Sequence, residues 1–170
     1  MIIIHADSEA LANELNTHVE SGKDVFMLIY MVGCGPCNAT RPEWTKLEDA
    51  LKHKYRHNNT LVIASVDSNI IGSVKHIGDV IGFPTILYLS HNGATREQFE
   101  ASSIRDKRRD VACFISWVKS HVKEDNKRQT NTRRQSNTRR QSKQGRQSKQ
   151  GRPKSNTRKY KTKYYTDQKE

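Results

Sequence analysis

The sequence predicts an α/β domain, with a sheet of mainly parallel strands that is covered by helices on both faces. Short apolar runs rich in β-branched residues alternate with amphipathic stretches along the first part of the chain. This alternation is typical of parallel strands joined by helical crossovers. Two later extended segments, on either side of His91-Asn92-Gly93, follow each other without a helix between them and add an antiparallel edge.

Charge divides the 170 residues into two parts. Residues 1–125 contain 14 Lys+Arg and 16 Asp+Glu, whereas residues 126–170 contain 16 Lys+Arg and only 2 Asp+Glu. The second part has no Ala, Val, Ile, Leu, Met, Phe, Trp or Cys. Because such a segment buries too little apolar surface to offset its ordering entropy, we predict a folded domain at 1–125 and a disordered basic tail at 126–170.

Composition also excludes several classes of protein. No apolar run approaches the roughly 20 residues that a membrane-spanning helix needs, and Met1–Ala6 lacks the pattern of a secretory signal. Three cysteines are too few for a disulfide-framed secreted fold. We therefore expect a soluble cytoplasmic protein, and a nucleus or a virus particle is consistent with the sequence too.

The first half of the domain contains two predicted strands and two predicted helices. Met1–His5 predicts a strand, and Ser8–Ser21 predicts a helix because its apolar residues recur every four positions. Val25–Val32 is eight consecutive apolar residues, typical of a central strand buried on both faces. Apolar anchors recur at helical spacing over Asn38–His57, and we expect Pro42 to kink this helix near its start.

The second half contains three predicted strands and two predicted helices. Leu61–Val66 predicts another buried strand, and Ile70–Val80 predicts a short amphipathic helix. Thr85–Ser90 is expected to form a strand, which a polar turn connects to a partner at Thr95–Glu100. Asp106–Lys123 predicts the last helix, since its apolar residues recur at helical spacing.

Cys34-Gly35-Pro36-Cys37 lies between the central strand and a helix, a position that suits thiol–disulfide chemistry. A thiolate, not a thiol, attacks a disulfide, and the amides and dipole of a helix N-terminus stabilise the negative sulfur of Cys34. The two-residue spacing lets Cys37 reach Cys34, so that a mixed disulfide with a substrate can be resolved within the chain. Gly35 permits the tight turn, and Pro36 presets the backbone of the first helical turn.

Two other interpretations of the cysteine pair stay open. The pair could be half of a zinc site, although Cys113 stands alone in the sequence. His53 and His57 follow four residues apart, but basic residues surround them, which favours a solvated helix face over a metal site. The pair could also be structural and inert. Its position between a buried strand and a helix favours redox chemistry, which needs no metal and no cofactor. Cys113 lies among apolar residues and is predicted to be a buried thiol that packs as a small hydrophobe.

Three motifs carry a resemblance to a known family: Cys34-Gly35-Pro36-Cys37, Pro42 five residues later, and Gly82-Phe83-Pro84-Thr85 before the next-to-last strand. Over residues 1–123 the chain is similar to the thioredoxin superfamily. The resemblance implies a thioredoxin-like fold with a mixed sheet in the order 1-3-2-4-5. It also implies a cis peptide before Pro84, which lies against the cysteines and presents backbone to the substrate.

The resemblance further implies a thiol–disulfide oxidoreductase that reduces or exchanges protein disulfides. Cys34 is then the nucleophile and Cys37 the resolving cysteine, while Phe83 and Pro84 bind the substrate backbone. The Gly-Pro pair between the cysteines is of the thioredoxin type, whereas disulfide isomerases usually carry Gly-His. The electrons would come from an external reductase or a thiol pool.

Two positions depart from the family pattern. Gly33 stands directly before Cys34, where the family usually has Trp. Leu28 stands six residues before Cys34, where the family usually buries an Asp or Glu that relays a proton to or from the resolving cysteine. We expect slower turnover of Cys37, because general acid–base help contributes typically about 10²–10⁴-fold. Both departures keep open a second interpretation, a non-catalytic thioredoxin-like binding module that acts through its tail.

The tail contains repeats of six residues. NTRRQS occurs at 131–136 and again at 137–142, and KQGRQS follows at 143–148. A period of six matches neither a helix nor a buried strand, so duplication of a basic linker is one interpretation. A second is an electrostatic arm that binds phosphates of nucleic acid or another polyanion, with an affinity that falls steeply with salt. Phosphorylation at Ser136 and Ser142 and a nuclear-import signal stay open as well.

Overall fold

Strands and helices alternate along residues 1–123, the part of the chain that the computed structural model describes. Two 3-10 helices interrupt the second half of this part, at Ser68–Ser73 and Phe99–Ala101. The other elements are, in chain order, β1 (Ile2–Ala6), α1 (Glu9–Glu20), β2 (Asp24–Tyr30), α2 (Gly35–Lys52), β3 (Leu61–Asp67), β4 (Thr85–Ser90), β5 (Thr95–Gln98) and α3 (Val111–His121).

The five strands form one mixed sheet in the order β1-β3-β2-β4-β5, which confirms the thioredoxin-like arrangement expected from the resemblance. β1, β3 and β2 run parallel, whereas β4 is antiparallel to β2 and β5 is antiparallel to β4. β2 is the central strand, and all five of its interior residues are buried. A strand that is covered on both faces carries a continuous apolar run, as this sequence does.

Helices cover both faces of the sheet, each over its own apolar core. On one face, Trp44 of α2 and Phe114 of α3 meet edge to face with ring centroids 5.2 Å apart, above Leu28 of β2. On the other face, Leu15 of α1 packs against Met27 of β2. Successive side chains of β2 point to opposite faces of the sheet and pack in one core or the other. This strand therefore lies in the middle of the domain.

The central strand ends two residues earlier than its sequence predicts. Met31 and Val32 leave the sheet and are exposed, and Gly33 turns the chain with a φ of +81°. The following helix also differs from prediction, because α2 begins at Gly35 instead of Asn38 and continues as one helix through Pro42. The early start places the whole cysteine motif at the N-terminus of α2.

The helix predicted at Ile70–Val80 is wrong. Only the 3-10 helix at Ser68–Ser73 forms, and the chain then runs without regular structure to β4. His76 and Gly78 have φ values of +64° and +65°, which no right-handed helix accommodates. The apolar residues of this stretch are spaced as in a helix because several of them pack on the sheet, not because the backbone is helical.

The last helix begins at Val111, five residues after its predicted start at Asp106. Asp110 caps it, because its carboxylate accepts a hydrogen bond from the Cys113 amide at 2.9 Å. This hydrogen bond lowers the pKa of the Asp110 carboxyl. Asp106 instead accepts from the amide of Arg108 at 3.1 Å, which closes a turn outside the helix.

Within residues 1–123, no helix has the length and apolar character needed to cross a membrane. The boundary predicted at residue 125, the disorder of residues 126–170 and the binding partners of that tail all lie outside the described residues and stay predictions.

Candidate active site

Cys34 and Cys37 form a disulfide at the N-terminus of α2, with their Cα atoms 5.2 Å apart. β2 delivers the chain to this point, and Gly33 redirects it from the sheet into the helix. Cys34 is 9% exposed, whereas Cys37 is completely buried. Only the first of the two sulfurs can therefore be reached from the surface of the protein.

The first turn of α2 directs a hydrogen-bond donor at the sulfur of Cys34. Cys34 is the N-cap of the helix, and its Sγ accepts from the Cys37 amide at 3.2 Å. Pro36, in the first helical turn, has no amide hydrogen that would need a partner. The sulfur thus occupies the position that a capping oxygen holds in most helices, at the positive end of the helix dipole.

The Phe83–Pro84 peptide is cis and lies against the cysteine pair, as the resemblance implies. The carbonyl oxygen of Phe83 is 3.7 Å from Cys34 Sγ. The antiparallel pairing of β2 and β4 explains this placement, because Ile29 near the end of β2 stands opposite Thr85, the residue after Pro84. The sheet register therefore brings the two predicted motifs together, although Cys34 and Phe83 are 49 residues apart in sequence.

A recess of about 330 Å³ continues from the cis peptide toward β5 and the start of α3. One wall carries the ion pair of Glu100 and Arg109, whose Oε1 and Nη2 atoms are 2.7 Å apart. The recess is lined by Ile81, Gly82, Phe83, Pro84, Thr85, Gln98, Glu100 and Arg109. It offers both apolar and charged surface next to the cis peptide.

Three large apolar side chains are exposed within residues 1–123, and all three stand next to the site motifs. Met31 and Val32 are 43% and 69% exposed, just before Cys34, and Ile81 is 98% exposed, three residues before Pro84. The sequence analysis missed them as surface residues because they continue apolar runs. Gly33 was the available signal, since a glycine at the end of an apolar run marks the point where the chain turns away.

Gly33 and Leu28, the two positions that depart from the family pattern, have different surroundings in the structure. A Cβ placed on Gly33 meets no atom within 4 Å, so the space beside Cys34 is open. Leu28 is completely buried in the core below α2 and α3 and stands between Ser65 and Ile86 on the neighbouring strands. No acid occupies its place in β2.

Glu48 is a buried carboxyl group that the sequence analysis did not single out. It is 6% exposed, and burial raises its pKa, while His5, with Nε2 3.7 Å from Oε2, opposes that rise. Glu48 lies eleven residues after Cys37 on the same helix, about 16 Å along the axis. It therefore does not replace the missing acid at Leu28.

Cys113 is 5% exposed and packs in the core below α3, as predicted for a thiol that acts as a small hydrophobe. Among residues 1–123, no three His, Cys, Asp or Glu side chains are grouped so that they could hold a metal ion.

Comparisons with known proteins agree with this geometry. The thioredoxin family model matches residues 6–113. Protein disulfide isomerase-like 1-1 of Arabidopsis thaliana is 29% identical over 114 residues, which are 67% of this chain and 21% of that protein. The chain thus spans about a fifth of the length of this curated relative.

Two solved structures are similar in fold. The J-Trx1 fragment of ERdj5 has a TM-score of 0.52 at 18% identity, over 70% of this chain and 51% of that one. The zinc-bound form of human ERp44 has a TM-score of 0.54 at 16% identity, over 71% of this chain and 30% of that one. At these identities the likeness concerns the fold alone.

Proposed function

Because this chain belongs to the thioredoxin family, we propose that it is a thiol–disulfide oxidoreductase that reduces or exchanges protein disulfides. The observation that carries the proposal is the disulfide at the start of α2, in which an amide of the helix donates to Cys34 Sγ at 3.2 Å. The curated relative described above, named as protein disulfide isomerase-like, supports the same class of reaction.

In the proposed reaction, the thiolate of Cys34 attacks one sulfur of a client disulfide. A mixed disulfide forms, and the other client sulfur leaves as a thiolate that takes up a proton. Cys37, after losing its proton, attacks Cys34 Sγ, closes the internal disulfide and releases the second client sulfur. Two electrons pass from the dithiol to the client, and an external reductase or thiol pool restores the dithiol.

The two cysteines differ in the ways that these two roles require. In the dithiol form, the Cys37 amide and the positive end of the α2 dipole would stabilise a Cys34 thiolate, so we expect its pKa to lie below the value of about 8.5 for free cysteine. Cys34 is also the exposed member of the pair. Cys37 is completely buried and can attack only Cys34 Sγ, once that sulfur is bound to a client.

The surface around the cysteines supports a protein client. Met31 and Val32, just before Cys34, and Ile81, three residues before Pro84, are exposed apolar side chains available for contact with a client. The cis peptide at Pro84 lies next to Cys34 Sγ, the sulfur that would attack the client, and the recess continues from this peptide. We propose that Phe83 and Pro84 contact the backbone of the client.

The charge of the tail favours a second candidate function, a thioredoxin-like module that binds nucleic acid or another polyanion and catalyses nothing. Residues 126–170 carry 16 basic and 2 acidic residues. Leu28 and Gly33 replace residues that usually assist catalysis in this family, which is consistent with this candidate.

Reduction of the insulin disulfides by dithiothreitol distinguishes the two candidates. We expect the full chain to accelerate the reaction and the Cys34→Ser variant to lose that acceleration. A chain that ends at residue 125, once it is shown to melt cooperatively, should retain the activity of the full chain. If neither the full nor the shortened chain accelerates the reaction, the oxidoreductase is wrong and the binding module is favoured.

A further inference from the structure

The segment between the 3-10 helix that ends at Ser73 and the start of β4 determines where Phe83 and Pro84 lie. It has no regular secondary structure, so no ladder of backbone hydrogen bonds fixes its path. Its last residues nevertheless place the Phe83 carbonyl oxygen 3.7 Å from Cys34 Sγ. Contacts from side chains must therefore hold the segment in place.

Arg96 of β5 provides one such contact. Its Nε donates to the carbonyl oxygen of Ile77 at 2.6 Å, and its Nη2 donates to that of Asp79 at 3.5 Å. Gly78 lies between these two residues with a φ of +65°, and a Cβ on it would be 3.2 Å from Arg96 Nε. One guanidinium group thus holds two carbonyl groups of the same turn, a task that its planar fork suits.

A second contact connects the same segment to the turn between β4 and β5. His76, with a φ of +64°, lies so close to Gly93 that a Cβ on Gly93 would be 2.4 Å from the His76 ring. Arg96 and Gly93 both belong to the hairpin that β4 begins. The segment is therefore attached to this hairpin by the His76 side chain, by the carbonyl groups of Ile77 and Asp79, and by the chain itself at Thr85.

We propose that Arg96 is a positioning residue that fixes Ile81–Pro84 for client binding. The inference rests on the proposed oxidoreductase activity and specifies how its binding surface is built. Ile81, Phe83 and Pro84 follow the second anchored carbonyl group, that of Asp79, by two to five residues, so a shift of that turn displaces all three. The reactivity of Cys34 depends instead on α2, which makes none of these contacts.

The Arg96→Met variant of the full chain, which retains an apolar stem without the donors, tests the inference. We expect its KM for insulin to rise on the order of tenfold or more, because small displacements of positioning groups have effects of this size. The kcat should change little, because the lost contacts bind the client equally in the ground state and in the transition state. The rate at which iodoacetamide alkylates Cys34 in the dithiol form should equal that of the wild type.

Three further variants separate positioning from general destabilisation. Arg96→Lys keeps a charged donor group without the planar fork and should restore part of the KM. Gly93→Ala, which displaces His76, should raise the KM as Arg96→Met does. Arg56→Met removes an exposed arginine beyond the far end of α2 and should leave both constants unchanged. Hydrogen exchange of the amides at residues 77–83 should accelerate in Arg96→Met, while that of α2 stays the same.

The outcomes are distinct for the inference and for the function on which it rests. If the wild type reduces insulin and Arg96→Met has the same KM, or if its Cys34 alkylation slows together with catalysis, the positioning role is wrong and the oxidoreductase stands. If the wild type does not reduce insulin, both are wrong, whatever the exchange rates show.

Discussion

Replacing Cys37 with serine is expected to trap the chain on its client as a stable mixed disulfide. Cys34 remains able to attack, but no thiol behind it can displace the captured sulfur. Turnover should fall on the order of 10⁴-fold or more, as when a member of a covalent catalytic unit is removed. A covalent complex of one chain with one client should appear on a non-reducing gel, and dithiothreitol should separate it into the two chains.

The other two cysteines supply matched controls for this experiment. Cys34→Ser should form no complex, because it removes the attacking sulfur. Cys113→Ser should turn over like the wild type, since Cys113 is 5% exposed and packs in the core below α3. A complex that persists in Cys34→Ser, or none in Cys37→Ser, would contradict the assignment of the two roles.

Replacing Leu28 with aspartate is expected to accelerate resolution by Cys37 near pH 7 while it weakens the fold. The position lies on the face of β2 that α2 covers, where the family usually buries a carboxyl group that moves the proton of the resolving cysteine. General acid–base help typically contributes about 10²–10⁴-fold, so we expect a gain on the order of 10²-fold. Stopped-flow measurement of the decay of the mixed disulfide follows this step.

The stability cost of Leu28→Asp comes from the same burial. Leu28 is completely buried, and loss of a buried leucine side chain costs about 2–5 kcal/mol, with a further cost for burial of a carboxyl group. Leu28→Asn is the matched control, because it has the same shape and no ionisable proton. If the mixed disulfide decays at the same rate in the Asp and Asn variants, with both folded at the assay temperature, an acid at this position does not assist Cys37.

The elements that carry the site could be predicted because local sequence determines them. Cys34-Gly35-Pro36-Cys37 combines a helix cap with a proline of the first turn, and both act within four residues. The cis peptide before Pro84 was expected from the family resemblance that Gly82-Phe83-Pro84-Thr85 carries. The strand order followed from the family resemblance and is not contained in any one segment.

The residues that the sequence analysis missed depend on contacts between distant segments. The helix predicted at Ile70–Val80 fails because Arg96 and Asn16, both far away in sequence, bind the backbone of that stretch. Asn16 donates to the carbonyl of Ser73 and accepts from the amide of Lys75, each at 2.8 Å. Periodicity detects an apolar face but cannot distinguish a helix from an irregular segment that long-range hydrogen bonds hold on a core.

The central claim is that α2 stabilises a negative charge on Cys34, and the pH dependence of its alkylation tests this most directly. The dithiol form of the full chain is treated with iodoacetamide over a range of pH, and the modified cysteine is identified by mass spectrometry. We predict that Cys34 reacts first, with a midpoint clearly below the pKa of about 8.5 for free cysteine. Alkylation of both thiols no faster than free cysteine at neutral pH would contradict it.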